Sequence, residues 1–219
     1  MTTIRLKKLN ITTIPDDALI LCVGKPNSGK TILVNDILSH KAHISRGTII
    51  SPSAKTYTQY DTDILNSVLR EQETIHRENQ SCTPETRLDR RAYLVMDGCM
   101  KDAQWLQDRN IRGLFMQNRS YALFVILTLQ TMNMIPPGLR GCIDYLFLFA
   151  TDSDRLARIY DQFGYMFPSL DVFNATIDEC TKDNGCLVIH LAKPSNVLKE
   201  IVFWYKTPAE KIDIFPCVL

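Results

Sequence analysis

The chain has 219 residues, 45% of them apolar, which is enough for one sizeable core but short for two independent ones. Its 25 Lys and Arg nearly cancel 24 Asp and Glu, leaving a formal charge of +1; this excludes an overall positive field for nucleic acid or an anionic membrane, so any DNA contact needs a local patch. Seven scattered cysteines with no C-x-x-C pair argue against a zinc site or redox couple and fit a reducing, intracellular setting.

Taken in chain order, the opening MTTIRLKKLNITTIPDD lacks an apolar stretch of signal-peptide length, and no run of about 18 apolar residues occurs, so neither secretion nor a membrane span is expected. One domain is expected over 1–219, with 1–16 as an N-terminal extension and 152–219 as an extension of its sheet. Strand-length apolar runs recur at Leu19–Val23, Thr48–Ile50, Tyr93–Met96, Ala122–Leu129, Ile143–Phe149, Leu187–Leu191 and Ile201–Tyr205. They are continuous rather than alternating, as in strands covered on both faces. Helical character lies between them at Thr31–Leu38, Asp61–Gln80, Asp102–Arg119 and Leu156–Tyr165. This alternation predicts an α/β domain with a doubly wound, mainly parallel sheet and helices on both faces. Later, Phe167-Pro168-Ser169 can stop one helix and cap the next, and Asp183-Asn184-Gly185 predicts a turn before two strands that extend the sheet.

Gly24 to Thr31 reads GKPNSGKT, a match to G-x-x-x-x-G-K-[ST] standing between a strand-like and a helix-like run. In such a loop (Gly24, Lys25, Pro26, Asn27, Ser28, Gly29) backbone N–H groups curl around phosphate oxygens, and the following helix turns its positive end to the same charge. Lys30 adds a cation toward the β- and γ-phosphates, and Thr31 offers a hydroxyl to Mg²⁺. The expected ligand is ATP with Mg²⁺. Arg91 to Asp97 (RAYLVMD) delivers an aspartate at the end of a strand, where α/β sheets place their ligands, so Asp97 is the candidate magnesium residue opposite Thr31. The run ending at Leu129 is followed by Gln130. The strand order resembles P-loop ATPases of the RecA-like motor class, in which a polar residue at that place contacts the γ-phosphate or its attacking water.

From Met96 to Phe149 the chain combines the Asp-ending strand with a nearby cysteine, a helix closing in F-M-x-N-R, a strand ending T-x-Q, and P-P-x-L-R before I-D-Y. FGYMFPSLDVF at 163–173, Cys186–His190 and Phe203-Trp204-Tyr205 continue the pattern. Together these resemble the FtsK/HerA-type genome-packaging ATPases of large DNA viruses, the poxvirus-type packaging family. The resemblance implies an ATP-driven translocase, assembled as a homo-oligomeric ring, that moves viral double-stranded DNA into a capsid at assembly sites in the host cytoplasm. It also implies that Gln130 is the sensor and that Arg119 sits where related motors project an arginine into a neighbour's site. Pairing of Arg119 with a helix C-terminus remains the alternative. Arg140, in PPGLRG, is a second such candidate or a loop-fixing residue. The sequence departs from the family's pattern at Gly98, where a second acidic residue is usual; Asp102 or Gln130 would then have to position the water.

Other signals stay secondary. His40 and His43 lack a third metal ligand nearby, and Trp105 and Trp204 lie in apolar stretches. Arg87, Arg90 and Arg91 are open between contact with the DNA backbone and solvated charge. Two other functions compete: a small-molecule phosphotransferase and a nucleotide switch that does not hydrolyse.

Overall fold

The computed structural model describes residues 4–51, 62–99, 108–132 and 135–208. Eight strands form one sheet: β1 (Lys7–Lys8), β2 (Leu19–Val23), β3 (Gly47–Ile50), β4 (Ala92–Asp97), β5 (Leu123–Leu129), β6 (Tyr145–Leu148), β7 (Cys186–His190) and β8 (Val202–Tyr205). Their order across the sheet is β1-β8-β7-β6-β2-β5-β4-β3. Neighbours from β6 to β3 run parallel, β7 is antiparallel to both β6 and β8, and β1 pairs parallel with β8. The mainly parallel, doubly wound sheet is therefore present, and both late strands extend it. The sequence reading missed β1, a two-residue edge strand made of lysines.

Helices occupy both faces. Helix α1 (Lys30–Ser39) lies on one, placing Leu33, Val34, Ile37 and Leu38 against Ile20, Cys22, Phe124 and Ile126. On the other lie α2 (Thr62–Gln80), α3 (Arg109–Gln117), α5 (Ser153–Phe163) and α6 (Leu170–Cys180), whose buried residues meet Leu19, Leu21, Val125 and Leu127. A short α4 (Pro137–Arg140) and α7 (Leu198–Ile201) complete the set. Every side chain from Leu19 to Val23 is at most 1% exposed, which is why that run reads as continuously apolar. Ser169 caps α6, its hydroxyl accepting from the Val172 N–H at 3.3 Å, as its place after Phe167-Pro168 predicts. Among the described residues, no helix is long and apolar enough to cross a membrane.

The strand order matters for chemistry because β5 separates β2 from β4. Leu129 faces Val23 and Thr128 faces Asp97 across the sheet, so the ends of β2, β5 and β4 stand side by side at the carboxyl edge. Ligands of parallel α/β sheets bind at that edge.

Candidate active site

The segment joining β2 to α1 takes the backbone form that its glycines permit. Gly29, the N-cap of α1, has φ +98°, and Asn27 also lies in the left-handed region at +59°. Two contacts hold the loop to the sheet: the Gly24 N–H donates to the Leu129 carbonyl at 3.2 Å and the Lys25 N–H to the Ala150 carbonyl at 3.0 Å. A side chain at Gly24 would strike Phe149, its Cβ 2.5 Å from the Phe149 Cβ, so the loop's first residue has room only for glycine. The turn at Asp183 and Asn184 lies against the loop from the other side, with the Asn184 Cβ 3.0 Å from where a Gly29 Cβ would be.

Lys30 folds over this loop. Its ammonium donates to the Gly24 carbonyl at 2.9 Å and the Lys25 carbonyl at 2.6 Å, with Ser28 Oγ at 3.4 Å. Burial holds the ammonium below its ordinary pKa, while Cys22 and Asp97 pull the other way. Beside it, Asp97 receives two hydroxyls: Thr31 Oγ1 donates to Oδ2 at 2.9 Å and Thr128 Oγ1 to Oδ1 at 2.6 Å. The Gly98 N–H in turn donates to Thr128 Oγ1 at 2.9 Å. The sequence reading overlooked Thr128, although it is the threonine of T-x-Q. The structure thus brings Lys30, Thr31 and Asp97 together, and Gln130, one residue past the end of β5, stands next to them along the same edge.

Gly98 has φ +67°, and among the described residues nothing stands within 4 Å of the position a Cβ would take. In this conformation any other side chain would sit in a left-handed backbone that non-glycine residues rarely accept. Asp102 lies outside the described residues.

Three further charged groups gather at the same edge, none of them anticipated from sequence apart from Lys25 as a loop residue. Lys25 Nζ pairs with Asp152 at 2.8 Å, Arg155 Nε approaches Asp152 at 3.6 Å, and Arg155 NH1 donates to the Gln130 carbonyl at 3.2 Å. The hydrogen bond from Lys25 holds the Asp152 carboxyl below the usual carboxylate range. The S-D-R stretch opening α5 carries no pattern that points to a site 25 residues earlier.

Arg119 is at the opposite end of the sheet. It follows α3, just before β5, and its guanidinium meets Asp144 Oδ1 at 2.5 Å, while Asp144 Oδ2 accepts from the Leu19 N–H at 2.7 Å. The preceding Asn118 is buried and donates to the Asp17 carbonyl at 2.6 Å, pinning the corner from which Arg119 projects. Arg119 is thus distant from its own chain's phosphate loop. Arg140 ends α4 and donates to the Ile135 carbonyl at 3.1 Å; burial lowers its pKa. Arg90 and Arg91, also at the amino edge, are engaged within the chain. Arg90 donates to the Ser120 carbonyl at 2.6 Å, and Arg91 pairs with Asp89 at 2.8 Å and Asp16 at 3.3 Å. His43 meets Asp16 at 2.7 Å, and His40 reaches the Asp36 carbonyl at 2.8 Å.

The chain is similar in sequence to viral proteins and in structure to viral and bacterial ATPases. No protein-family model matches the chain. An uncharacterized protein of Acanthamoeba polyphaga mimivirus is 28% identical over 95% of this chain and 79% of its own length. One from Invertebrate iridescent virus 3 is 28% identical over 95% and 87%. The genome packaging NTPase B204 from Sulfolobus turreted icosahedral virus 2, in complex with ATP-gammaS, matches in structure with a TM-score of 0.55 at 17% identity, covering 88% of this chain and 98% of that one. In complex with sulfate the same NTPase gives 0.58 at 16% identity, over 90% and 100%. EssC (ATPases 2 and 3) from Geobacillus thermodenitrificans gives 0.53 at 13% identity, over 90% of this chain and 42% of that one. The chain has the fold of these ATPases, and its structural neighbours include viral genome-packaging enzymes, as the sequence resemblance implied.

Proposed function

We propose that the chain is an ATP-hydrolysing motor subunit that drives viral double-stranded DNA into a capsid. The observation that carries this reading is the meeting of Lys30, Thr31 and Asp97 beside Gln130 at the carboxyl edge, with the Gln130 strand inserted between the phosphate-loop strand and the Asp97 strand. Support comes from the fold shared with a packaging NTPase that binds ATP-gammaS and from relatives encoded by large DNA viruses.

The donor set fits Mg²⁺. Thr31 Oγ1 and Asp97 Oδ2 are 2.9 Å apart, one hydroxyl and one carboxylate, the sparse protein share that Mg²⁺ takes when phosphates and waters complete its octahedron. Thr31 and Asp97 would hold the ion, which when bound neutralises charge on the phosphate oxygens. Thr128 keeps the Asp97 carboxylate turned toward Thr31. Lys30, now resting on loop carbonyls, has its ammonium ready to move to β- and γ-phosphate oxygens, and loop N–H groups take the rest of the charge. Because the position after Asp97 carries no side chain, orienting the attacking water falls to Gln130, which stands at this edge, or to Asp102. A ring of subunits would bring Arg119 of one copy toward the nucleotide of the next, where a guanidinium stabilises the transferring phosphoryl group. The place of work is the virus assembly site in the host cytoplasm.

Phosphate release from ATP by the purified protein tests this, with and without duplex DNA and across protein concentration. Turnover that DNA stimulates, that rises steeply with concentration and that is lost in Lys30→Ala supports the motor. A second reading, a nucleotide-binding switch, is favoured by Gly98 alone; tight ATP binding without turnover under every condition selects it. Phosphate transfer to an added nucleoside rather than to water would select a kinase.

A further inference from the structure

The geometry points to Arg155 as an in-chain positioning residue for Gln130, tied to the phosphate loop through Asp152 and Lys25. This rests on the reading of the site as an ATPase. Gln130 lies just beyond the last strand residue, and the final contact of β5 with the loop is the one from Gly24 to the Leu129 carbonyl. One residue further on, the Gln130 carbonyl is held by Arg155 NH1 at 3.2 Å. That bond fixes the peptide from which the Gln130 side chain departs, and so sets where its amide can be when water and γ-phosphate are present.

Arg155 is itself oriented. Its Nε faces Asp152 at 3.6 Å, and the same carboxylate takes Lys25 Nζ at 2.8 Å. Lys25 follows Gly24 directly, so a continuous chain of charged contacts runs from the loop, through α5, to Gln130.

Folding stability gives little account of this arrangement. The side chains of Lys25, Asp152 and Arg155 are 48%, 52% and 40% exposed, and ion pairs so open to water contribute little to stability. Helix α5 does not need them to start, because the N–H groups of Arg155 and Leu156 both donate to the Asp152 main-chain carbonyl at 3.0 Å. What the contacts do specify is the relative placement of the two segments that flank the nucleotide. Arg119, at the other end of the sheet, is out of reach of its own chain's site; Arg155 is beside its own.

Arg155→Ala, Arg155→Lys and Asp152→Asn should be compared with wild type for kcat, KM, nucleotide affinity measured with a fluorescent ATP analogue, and Tm. Arg155→Ala is expected to lower kcat about ten- to a hundredfold, the scale of a misplaced catalytic group, with nucleotide affinity and Tm close to wild type. Asp152→Asn should move kcat in the same direction by less, and Arg155→Lys should recover part of the loss. Mixing Arg155→Ala with Lys30→Ala subunits should restore no turnover, because each defect lies in its own chain's site. The inference is overturned by an unchanged kcat in Arg155→Ala, by a loss that appears only as lower Tm or weaker binding, or by recovery on mixing. Absence of turnover in wild type overturns the functional reading, and this inference with it.

Discussion

Thr128 donates a 2.6 Å hydrogen bond to Asp97 from the neighbouring strand, and the same hydroxyl accepts from the Gly98 N–H. The residue in the strand that separates the phosphate loop from Asp97 therefore determines which way the candidate magnesium ligand faces. Thr128→Val keeps the shape and removes both bonds. It should cost about 1–3 kcal/mol of stability, the scale of buried polar groups left unpaired. It should also weaken Mg²⁺-dependent ATP binding more than binding without the ion. Titration with a fluorescent ATP analogue, with Mg²⁺ and with EDTA, checks the second point; equal losses in both would detach Thr128 from the metal.

Gly98→Ala isolates backbone conformation from space. Among the described residues nothing stands within 4 Å of the new Cβ, so the cost expected from φ +67° is about 1–2 kcal/mol, read by denaturant unfolding. Gly29→Ala should be worse, because it adds the Asn184 contact to φ +98°. Equal destabilisation by the two would mean that the turn at 183–184 gives way freely.

Arg119 and Asp144 predict unequal variants. Removing Arg119 loses a partner whose side chain is 62% exposed, at a cost of about 1 kcal/mol or less. Asp144→Ala also strands the Leu19 N–H at the start of the central strand and should cost more. Chemical denaturation of both variants decides this, and a larger loss from Arg119→Ala contradicts it. For a role in trans, mixing Arg119→Ala with Lys30→Ala should restore turnover, since an intact site then meets an intact arginine across the subunit boundary.

Acid stability should carry a signature of Asp16. Burial pushes its carboxyl up, but hydrogen bonds from Lys41 and His43 outweigh this and bring it from 3.8 to about 2. A carboxyl depressed in the folded state contributes stability above its unfolded value and loses it as pH falls toward the folded one. The Tm gap between wild type and Asp16→Asn should therefore be full above about pH 4 and close between about pH 4 and pH 2. A gap that stays constant over that window would assign the effect of Asp16 to something other than its charge.

The phosphate loop was legible because its chemistry is local: GKPNSGKT, the strand before it and the helix after it are contiguous. The parallel strands were legible because burial on both faces leaves an unbroken apolar run, as in Leu123–Leu129. Strand β1 was not, since Lys7 and Lys8 form an edge whose pairing uses backbone groups and leaves no apolar trace. Asp152 and Arg155 were invisible for a different reason. Their partners, Lys25 and Gln130, lie far away in sequence, and nothing in T-D-S-D-R distinguishes a site residue from a helix cap. Gly98 could be read only as a missing carboxylate; its positive φ is a property of the folded backbone that the sequence does not display. The place of Arg119 before β5 was readable, but its partner Asp144 follows from β6 lying next to β2.

Triplex displacement measures translocation along duplex DNA most directly. A labelled third strand is annealed to a long duplex, and its release is followed on adding protein and ATP. A translocating motor should give release that requires ATP and Mg²⁺, occurs later as the triplex is placed further along the duplex, and disappears in Lys30→Ala. Release undiminished by Lys30→Ala, or vigorous ATP hydrolysis on duplex DNA with no release at any distance, would contradict translocation.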